Sequence, residues 1–240
     1  MSFSSPDEGE IRAQNEYKQQ VAAAVPKLCA PIGLFISIIF HPLLLVLYIY
    51  PVLAGINPYF FGKTHFWAVM EDKHDFGVFL MLGVLLVGLP LLGMLMMRGL
   101  NMIPNFKLEQ RQERVAPYII VGLAYLVGFM QLNTYTGAPL VVKLFVLGAG
   151  LGIAMAFFIN LFAKISIHGV GMGGLVAFCL LALLNTNHLG DNDVWILPVV
   201  VAVAGIVGTA RRIVGAHQAQ ELYLGYFVGF FGQFIAANFV

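Results

Sequence analysis

The sequence predicts an all-α protein that crosses a membrane several times, and its composition is the main reason. Apolar residues make up 60% of the chain, charged residues only 10%, and the mean hydropathy is +0.86. A soluble domain carries about 25% charged residues. The 26 glycines and 20 phenylalanines suit helices that pack closely in lipid. No alternation of apolar and polar residues indicates a strand.

Seven uncharged runs are candidate spans, because about 20 apolar residues cross the hydrocarbon layer. They cover residues 32–53, 76–97, 116–132, 144–163, 169–184, 194–209 and 222–240. The first run is the least regular, since Pro42 and Pro51 could break it or make it re-entrant. We therefore divide the chain into a polar N-terminal segment, residues 1–27, with a short helix over 10–25, and one membrane domain, residues 28–240.

The charges outside the runs bear on partners and orientation. A net charge of +1 gives no electrostatic argument for a nucleic-acid partner. With seven spans, one face carries ten lysines and arginines, and the other carries only Lys63, Lys73 and Lys143. That excess is typical of a cytoplasmic face. If the first run is re-entrant, the N-terminal cations change sides and the count no longer favours that orientation.

Two of the three polar clusters on the basic face carry groups that can bind an anion: the first contains cations, and the second contains a hydroxyl and glycines. Lys107 and Arg114 are seven residues apart and share a face if the segment is helical. Ser166 and His168 precede a glycine-rich helix start, where a hydroxyl and backbone N–H groups can bind an anion. The plainer interpretations are a solvated basic loop and an interfacial histidine beside packing glycines.

The third cluster contains Arg211, His217 and Glu221. The histidine and the glutamate are four residues apart, so their side chains can meet on one helix face. A carboxylate bonded to one imidazole nitrogen fixes the tautomer and leaves the other nitrogen as a base or nucleophile. Glu221 is the only acid between residues 194 and 240. A pair of polar side chains reaching the interface is the alternative.

The three clusters are stronger together than apart, because an even number of spans separates each from the next. All three therefore lie on one face. Cations that neutralise phosphoryl oxygens, one histidine that attacks phosphorus and a second that protonates the leaving oxygen suit phosphoryl transfer. No tight group of carboxylate ligands accompanies them, so we expect no metal and no other cofactor.

Order and spacing resemble the membrane-bound type-2 phosphatidic acid phosphatase superfamily, also called lipid phosphate phosphatases. That family shows lysine, six residues, arginine-proline; proline-serine-glycine-histidine; and serine-arginine, five residues, histidine, three residues, aspartate. This chain matches with Lys107 and Arg114, with Ser166 and His168, and with Arg211, His217 and Glu221. It departs at Val115, Ile165, Ile167, Ala210 and Glu221, which replace proline, proline, glycine, serine and aspartate.

The resemblance covers about residues 74–240 and implies six core spans, with the N-terminal apolar segment added to them. It implies a metal-independent lipid phosphatase that works through a phosphohistidine, acting on a lipid phosphate or pyrophosphate. His217 would be the nucleophile, Glu221 its orienting carboxylate and His168 the general acid. The residues that would hold the phosphate are Lys107, Arg114, Ser166, Gly169 and Arg211.

Several properties stay open at the level of sequence. The expected partners are the lipid phosphate substrate and membrane lipids, in a bacterial cytoplasmic membrane, with the oligomeric state undetermined. The resembled family commonly places its site on the outer face, so we favour that face if the first run fails to cross. The altered motif flanks also fit a non-catalytic lipid-binding, transport or assembly protein on the same scaffold.

Two further features have plain interpretations. His41 precedes Pro42 within the first run and either contacts substrate or bonds a backbone carbonyl that the proline leaves free; we favour the bond to the carbonyl. On the opposite face a group of acids and histidines fits no firm metal template, and we favour a solvated loop. Its members are His65, Glu71, Asp72, His74 and Asp75.

Overall fold

The computed structural model describes residues 8–26, 28–106, 108–135, 137–184 and 193–240. Across these residues the regular structure is helical and no strand occurs, which confirms the all-α prediction. The helices are α1 (Glu8–Ala24), α2 (Cys29–Ile39), α3 (Pro42–Ile56), α4 (Phe66–Met70), α5 (Lys73–Leu82), α6 (Leu89–Gly99), α7 (Val115–Thr134), α8 (Leu140–Asn160), α9 (Ile167–Leu184), α10 (Ile196–Ile213) and α11 (Ala219–Ala236). A π-helical stretch, Gly83–Gly88, joins α5 to α6.

Within the described residues, five helical segments are long and apolar enough to cross a membrane, and the count rises to seven if each of two bent helix pairs is one span. The five are Lys73–Gly99, Gln112–Thr134, Leu140–Asn160, Ile167–Leu184 and Ile196–Ile213. Each overlaps one predicted run and differs from it by a few residues at the ends. Large apolar side chains on their outer surfaces, such as Leu92 and Phe158, are exposed as lipid-facing residues are. The chain is a multi-pass membrane protein.

The two ends of the bundle can be distinguished by side-chain contacts. At one end, the Arg114 guanidinium at the start of α7 donates to the carbonyl of Ile165, just before α9. At the other end, the His74 ring at the start of α5 lies 4.6 Å from the Tyr135 ring after α7. We call these the motif end, which also holds Ser166 and the α10–α11 loop, and the far end.

The first apolar run forms two helices instead of one straight span. It breaks between Ile39 and Pro42, whereas Pro51 lies inside α3 without ending it. On its N-terminal side α1 meets α2 at 119°, and α1 contacts the α10–α11 loop at the motif end. On its C-terminal side Tyr50 of α3 donates to the carbonyl of Asp75 at the far end. The run therefore connects the two ends of the bundle, although Pro42 interrupts it.

Helix α11 forms the most closely packed contacts, lying against α8 and α9. A Cβ on Gly225 would approach the Ser166 carbonyl to 2.6 Å, and a Cβ on Gly232 would approach the Gly148 carbonyl to 2.8 Å. Only glycine allows backbones to come this close. With 18 residues, α11 is about 27 Å long and runs parallel to α9. Helix α11 begins a few residues before the predicted run of residues 222–240 begins, and it ends a few residues before that run ends.

Candidate functional site

The α10–α11 loop carries the third motif and turns at a glycine. Helix α10 ends at Ile213, and Gly215 follows with a φ of +68°, in the left-handed region that a residue with a Cβ adopts at a cost. This turn reverses the chain, so that only Gln218 separates His217 from the start of α11. The loop therefore presents His217 at the motif end, one helical turn from Glu221.

His217 and Glu221 form a short hydrogen bond. The Nδ1 of His217 lies 2.6 Å from Oε2 of Glu221, and the histidine side chain is 3% exposed. Because a carboxylate only accepts, Nδ1 carries the proton, and in the neutral ring Nε2 keeps its lone pair. The i, i+4 spacing of the sequence thus produces an oriented imidazole with one nitrogen available for chemistry.

The charges around His217 favour its neutral form. Burial lowers the pKa of His217 well below its ordinary value of 6.5, and the positive charges of Arg114, Arg211 and Lys164 lower it further. A neutral imidazole is the form in which Nε2 can attack an electrophile. The same cations provide the positive field that an incoming oxyanion requires.

His168 lies deeper in the protein and bonds to the N-terminal segment. Its Nε2 lies 3.0 Å from the carbonyl of Ser37 in α2, so Nε2 donates and Nδ1 is the acceptor in the neutral ring. Nδ1 is buried without a hydrogen-bond partner among the described residues. The His41 ring packs edge-on against His168, with ring centroids 5.3 Å apart. Helices α2 and α3 therefore complete the surroundings of this histidine.

His41 itself has a backbone role, as favoured from the sequence. Its Nδ1 accepts from the N–H of Leu43, 3.3 Å away, and this bond caps the start of α3. The partner is an N–H group and not a freed carbonyl. The cap holds the ring beside His168.

Arg211 links the two histidines electrostatically. Its charge acts on both His168 and His217, so all three groups lie within electrostatic range. The Nε of Arg211 is buried and has no hydrogen-bond partner in the described part of the chain. A buried donor without an acceptor is costly, so this N–H is suited to a ligand oxygen.

Ser166 and Gly169 have structural roles at the start of α9. Ser166 is fully buried; its Oγ accepts from the N–H of Gly169 at 3.3 Å, and its own N–H donates to the carbonyl of Glu221. A Cβ on Gly169 would approach the Leu222 carbonyl to 2.8 Å, so this glycine packs α9 against α11. Both residues hold α9 and α11 together beside His217, and neither lines the pocket described below.

The first motif is described only in part. Lys107 lies outside the described residues. Arg114 is half-buried; its Nε donates to the Leu108 carbonyl at 2.7 Å and its Nη1 to the Ile165 carbonyl at 3.0 Å. The guanidinium therefore ties the loop before α7 to the segment that carries Ser166, while its charge still acts on His217.

A pocket of about 340 Å³ opens beside His217. The loop histidine and Glu221 line it together with two further cations, Arg111 and Lys164. Its outer wall is α1, which contributes Gln14 and Tyr17. The Tyr17 hydroxyl donates to the carbonyl of His217 at 3.1 Å. An ion pair of 2.6 Å between Lys18 and Glu109 also joins α1 to the loop before α7.

Sequence reasoning missed several of these residues. Lys164 stands two places before Ser166, and Arg111 lies inside the first cluster, so both had a positional signal. Tyr17 and Gln14 had none, because the segment before residue 28 has no motif. The Ser37 carbonyl is a backbone group, which no residue pattern reports.

The polar group at the far end forms ion pairs and helix caps. Asp72 accepts from Lys63 at 2.6 Å and caps α5 through the N–H groups of His74 and Asp75. Ligand atoms of these two acids and His74 lie within 4.8 Å of one another. The Lys63 ammonium supplies a positive charge to both acids. The expected solvated loop is wrong in part, because His74 and Asp75 lie in the first turn of α5 and Asp75 is buried. His65 caps α4 separately.

No family model, curated protein or solved structure matches this chain. The likeness to lipid phosphate phosphatases therefore depends on the motif residues themselves.

Proposed function

We propose that this protein is a metal-independent phosphatase acting on a lipid that carries a phosphate or pyrophosphate headgroup. The observation that carries the proposal is the bond between buried His217 and part-buried Glu221, which leaves Nε2 of His217 as a neutral nucleophile beside a pocket. The buried, unpartnered Nε of Arg211 gives additional support, since it is suited to a phosphoryl oxygen.

The reaction follows from these positions in two steps. Nε2 of His217 attacks phosphorus, and Arg114 and Arg211 neutralise the charge on the phosphoryl oxygens. The bond to the leaving oxygen breaks, and that oxygen takes the Nδ1 proton of His168 in its doubly protonated form, because the proton of the neutral ring is held by the Ser37 carbonyl. Water then attacks the phosphohistidine and the P–N bond breaks. One proton of the water returns to His168, and inorganic phosphate and neutral His217 result. Glu221 stabilises the positive imidazole during both steps.

A non-catalytic lipid-phosphate-binding protein is the second candidate, and one observation favours it. The proton of His168 on Nε2 is directed at the Ser37 carbonyl and not at a leaving group. A site with cations and a weak general acid binds phosphate and releases it unchanged.

The two candidates differ in phosphate release and in a covalent intermediate. Purified protein in detergent should release inorganic phosphate from a lipid phosphate, with the rate unchanged by chelators. A rapid acid-labile, base-stable phosphoprotein should form in the wild type and be absent from His217→Ala. Arg212→Ala is the matched control, because Arg212 is exposed and does not line the pocket. Tight phosphate binding without release would favour the second candidate.

A further inference from the structure

The pocket beside His217 has its own cations, separate from those of the motifs. Arg111 and Lys164 line it, whereas Arg114 and Arg211 are not among its lining residues. The motif cations lie toward the bundle, where Arg114 bonds two carbonyls and Arg211 is largely enclosed. Two pairs of cations can therefore be distinguished: an inner pair outside the pocket lining, Arg114 and Arg211, and an outer pair that lines the pocket, Arg111 and Lys164.

Together the two pairs carry more positive charge than one phosphoryl group requires. A phosphate monoester carries about −1.5 to −2 near neutral pH, and the inner pair already matches that charge. Lys164 also acts electrostatically on both His217 and Glu221, so this cation lies close to the reacting centre, and Arg111 lines the same pocket. A second phosphoryl group, joined to the first, would place its charge between the pocket cations.

The pocket also has room for that second group. A cavity needs about 10–15 Å³ to hold one water molecule, so a volume of about 340 Å³ is ample for a phosphoryl group. Gln14 and Tyr17 of α1 line its outer side; the Gln14 amide can donate to a phosphoryl oxygen, whereas the Tyr17 hydroxyl already donates to the His217 carbonyl. The lining is thus cationic on the bundle side and hydrogen-bonding on the α1 side.

The position of His168 independently bears on the leaving group. A lipid alkoxide is a strong base and must be protonated as it leaves, but the Nε2 proton of His168 is held by the Ser37 carbonyl. A phosphate monoester is a much weaker base, with a second pKa of about 6. It can leave from phosphorus without a strong general acid. A diphosphate substrate therefore fits the constrained His168 better than a monophosphate does.

We infer that the site is built for a lipid diphosphate, with Arg111 and Lys164 holding the second phosphoryl group. This inference rests on the proposed function. His217 Nε2 bonds to the terminal phosphorus, and the bond to the bridging oxygen breaks. The bridging oxygen keeps the electron pair and leaves on the lipid monophosphate. Water then cleaves the P–N bond, and both of its hydrogens end on the inorganic phosphate.

The test compares two substrates that differ only by one phosphoryl group. Farnesyl diphosphate and farnesyl monophosphate are offered in detergent to the wild type, to Arg111→Ala, to Lys164→Ala and to the control Arg212→Ala. The wild type should have the higher kcat/KM for the diphosphate. Each pocket variant should lower the diphosphate kcat/KM about tenfold, mainly through KM, because one charge-assisted contact is lost.

The folding control is Arg212→Ala, which should keep both rates within about twofold of the wild type, because Arg212 is exposed and does not line the pocket. In the two pocket variants the ratio of diphosphate kcat/KM to monophosphate kcat/KM should fall, because the lost contact belongs to the second phosphoryl group. Equal losses on both substrates would overturn the diphosphate inference and leave the phosphatase in place. No release from either substrate by wild-type protein would overturn the proposed function itself. Inorganic diphosphate should inhibit the wild type more strongly than phosphate does, and equal inhibition would also contradict the inference.

Discussion

His217 combines burial, a carboxylate partner and nearby cations, and each affects a different step. The bond to Glu221 orients the ring, burial keeps it neutral, and Arg114 and Arg211 provide the field for an oxyanion. Removing the nucleophile eliminates the covalent route, whereas removing the orienting carboxylate removes only part of the stabilisation.

His217→Ala should therefore abolish phosphate release, while Glu221→Gln should keep a slow rate, reduced about 10²- to 10⁴-fold. Glutamine still fits the space but cannot neutralise the imidazolium. Single-turnover kinetics in detergent measure both variants. Near-wild-type rates in both would show that the chemistry lies elsewhere in the protein.

The pH dependence should reflect the low pKa of His217. The nucleophile must be unprotonated, and burial and the surrounding positive charges lower its pKa well below 6.5. Activity should consequently persist as the pH falls through 6.5 and decline only below it. The acidic limb of kcat/KM, measured on the monophosphate, reports this value. Arg212→Ala should leave the limb in place; a limb above pH 6.5 in the wild type would contradict the assignment.

At the scale of elements, the glycine contact between α9 and α11 aligns the motifs. Both helices begin at the motif end, and the Ser166 N–H bonds to the Glu221 carbonyl at 3.1 Å. The spacing of His168 and His217 therefore depends on how closely two backbones approach. A Cβ on Gly229 would overlap the Val170 carbonyl, so the register of the pair depends on small residues.

Gly229→Ala should lower the stability of the protein by about 1–3 kcal/mol, because an extra methyl separates two backbones. Its matched control is Gly205→Ala in α10, where an added Cβ meets nothing within 4 Å. The control should be neutral or stabilising by up to about 1 kcal/mol, since alanine favours helix more than glycine. Thermal unfolding in detergent measures both. Equal unfolding temperatures would mean that α9 and α11 separate without cost.

For the whole molecule, the path of the first apolar run determines the expected orientation. The expectation of a site on the outer face required that the first apolar run does not cross the membrane. In the structure, however, α1 contacts the motif end and α3 contacts the far end. The N-terminal lysines and arginines are therefore included in the positive charge of the motif end. Setting aside Lys107, Arg114 and Arg211 as phosphate ligands leaves seven cations against three. Setting aside Arg111 and Lys164 as well leaves five against three.

We therefore expect the motif end to face the cytoplasm. With Cys29 and Cys179 replaced by serine, Thr64→Cys at the far end should react with an impermeant maleimide in intact cells. Gln110→Cys at the motif end should be protected until the cells are permeabilised. The reverse pattern of labelling would place the site outside and indicate a substrate drawn from the outer leaflet.

Local patterns in the sequence were sufficient to predict most of the long helices of this protein and one pair of side chains in the site. Lipid removes water from the backbone, so long uncharged runs must be helical, and five of them are helices with nearly the predicted bounds. The pairing of His217 with Glu221 was predicted from their i, i+4 spacing, although His217 lies in the loop before α11, so the bond joins this loop to the first turn of the helix and not two positions on one helix face.

Only the tertiary structure decided what surrounds these groups. The wall formed by α1, the Ser37 carbonyl on His168 and the use of Gly169 in packing all join segments distant in the chain. Spacing within one helix is set by its 3.6-residue turn, which a sequence displays directly. Contacts between segments depend on how side chains and backbones fit in three dimensions, and backbone carbonyls and glycine approaches leave no residue signature. For that reason the sequence determined which helices form and which chemical groups they carry, and packing decided which of those groups reach the pocket.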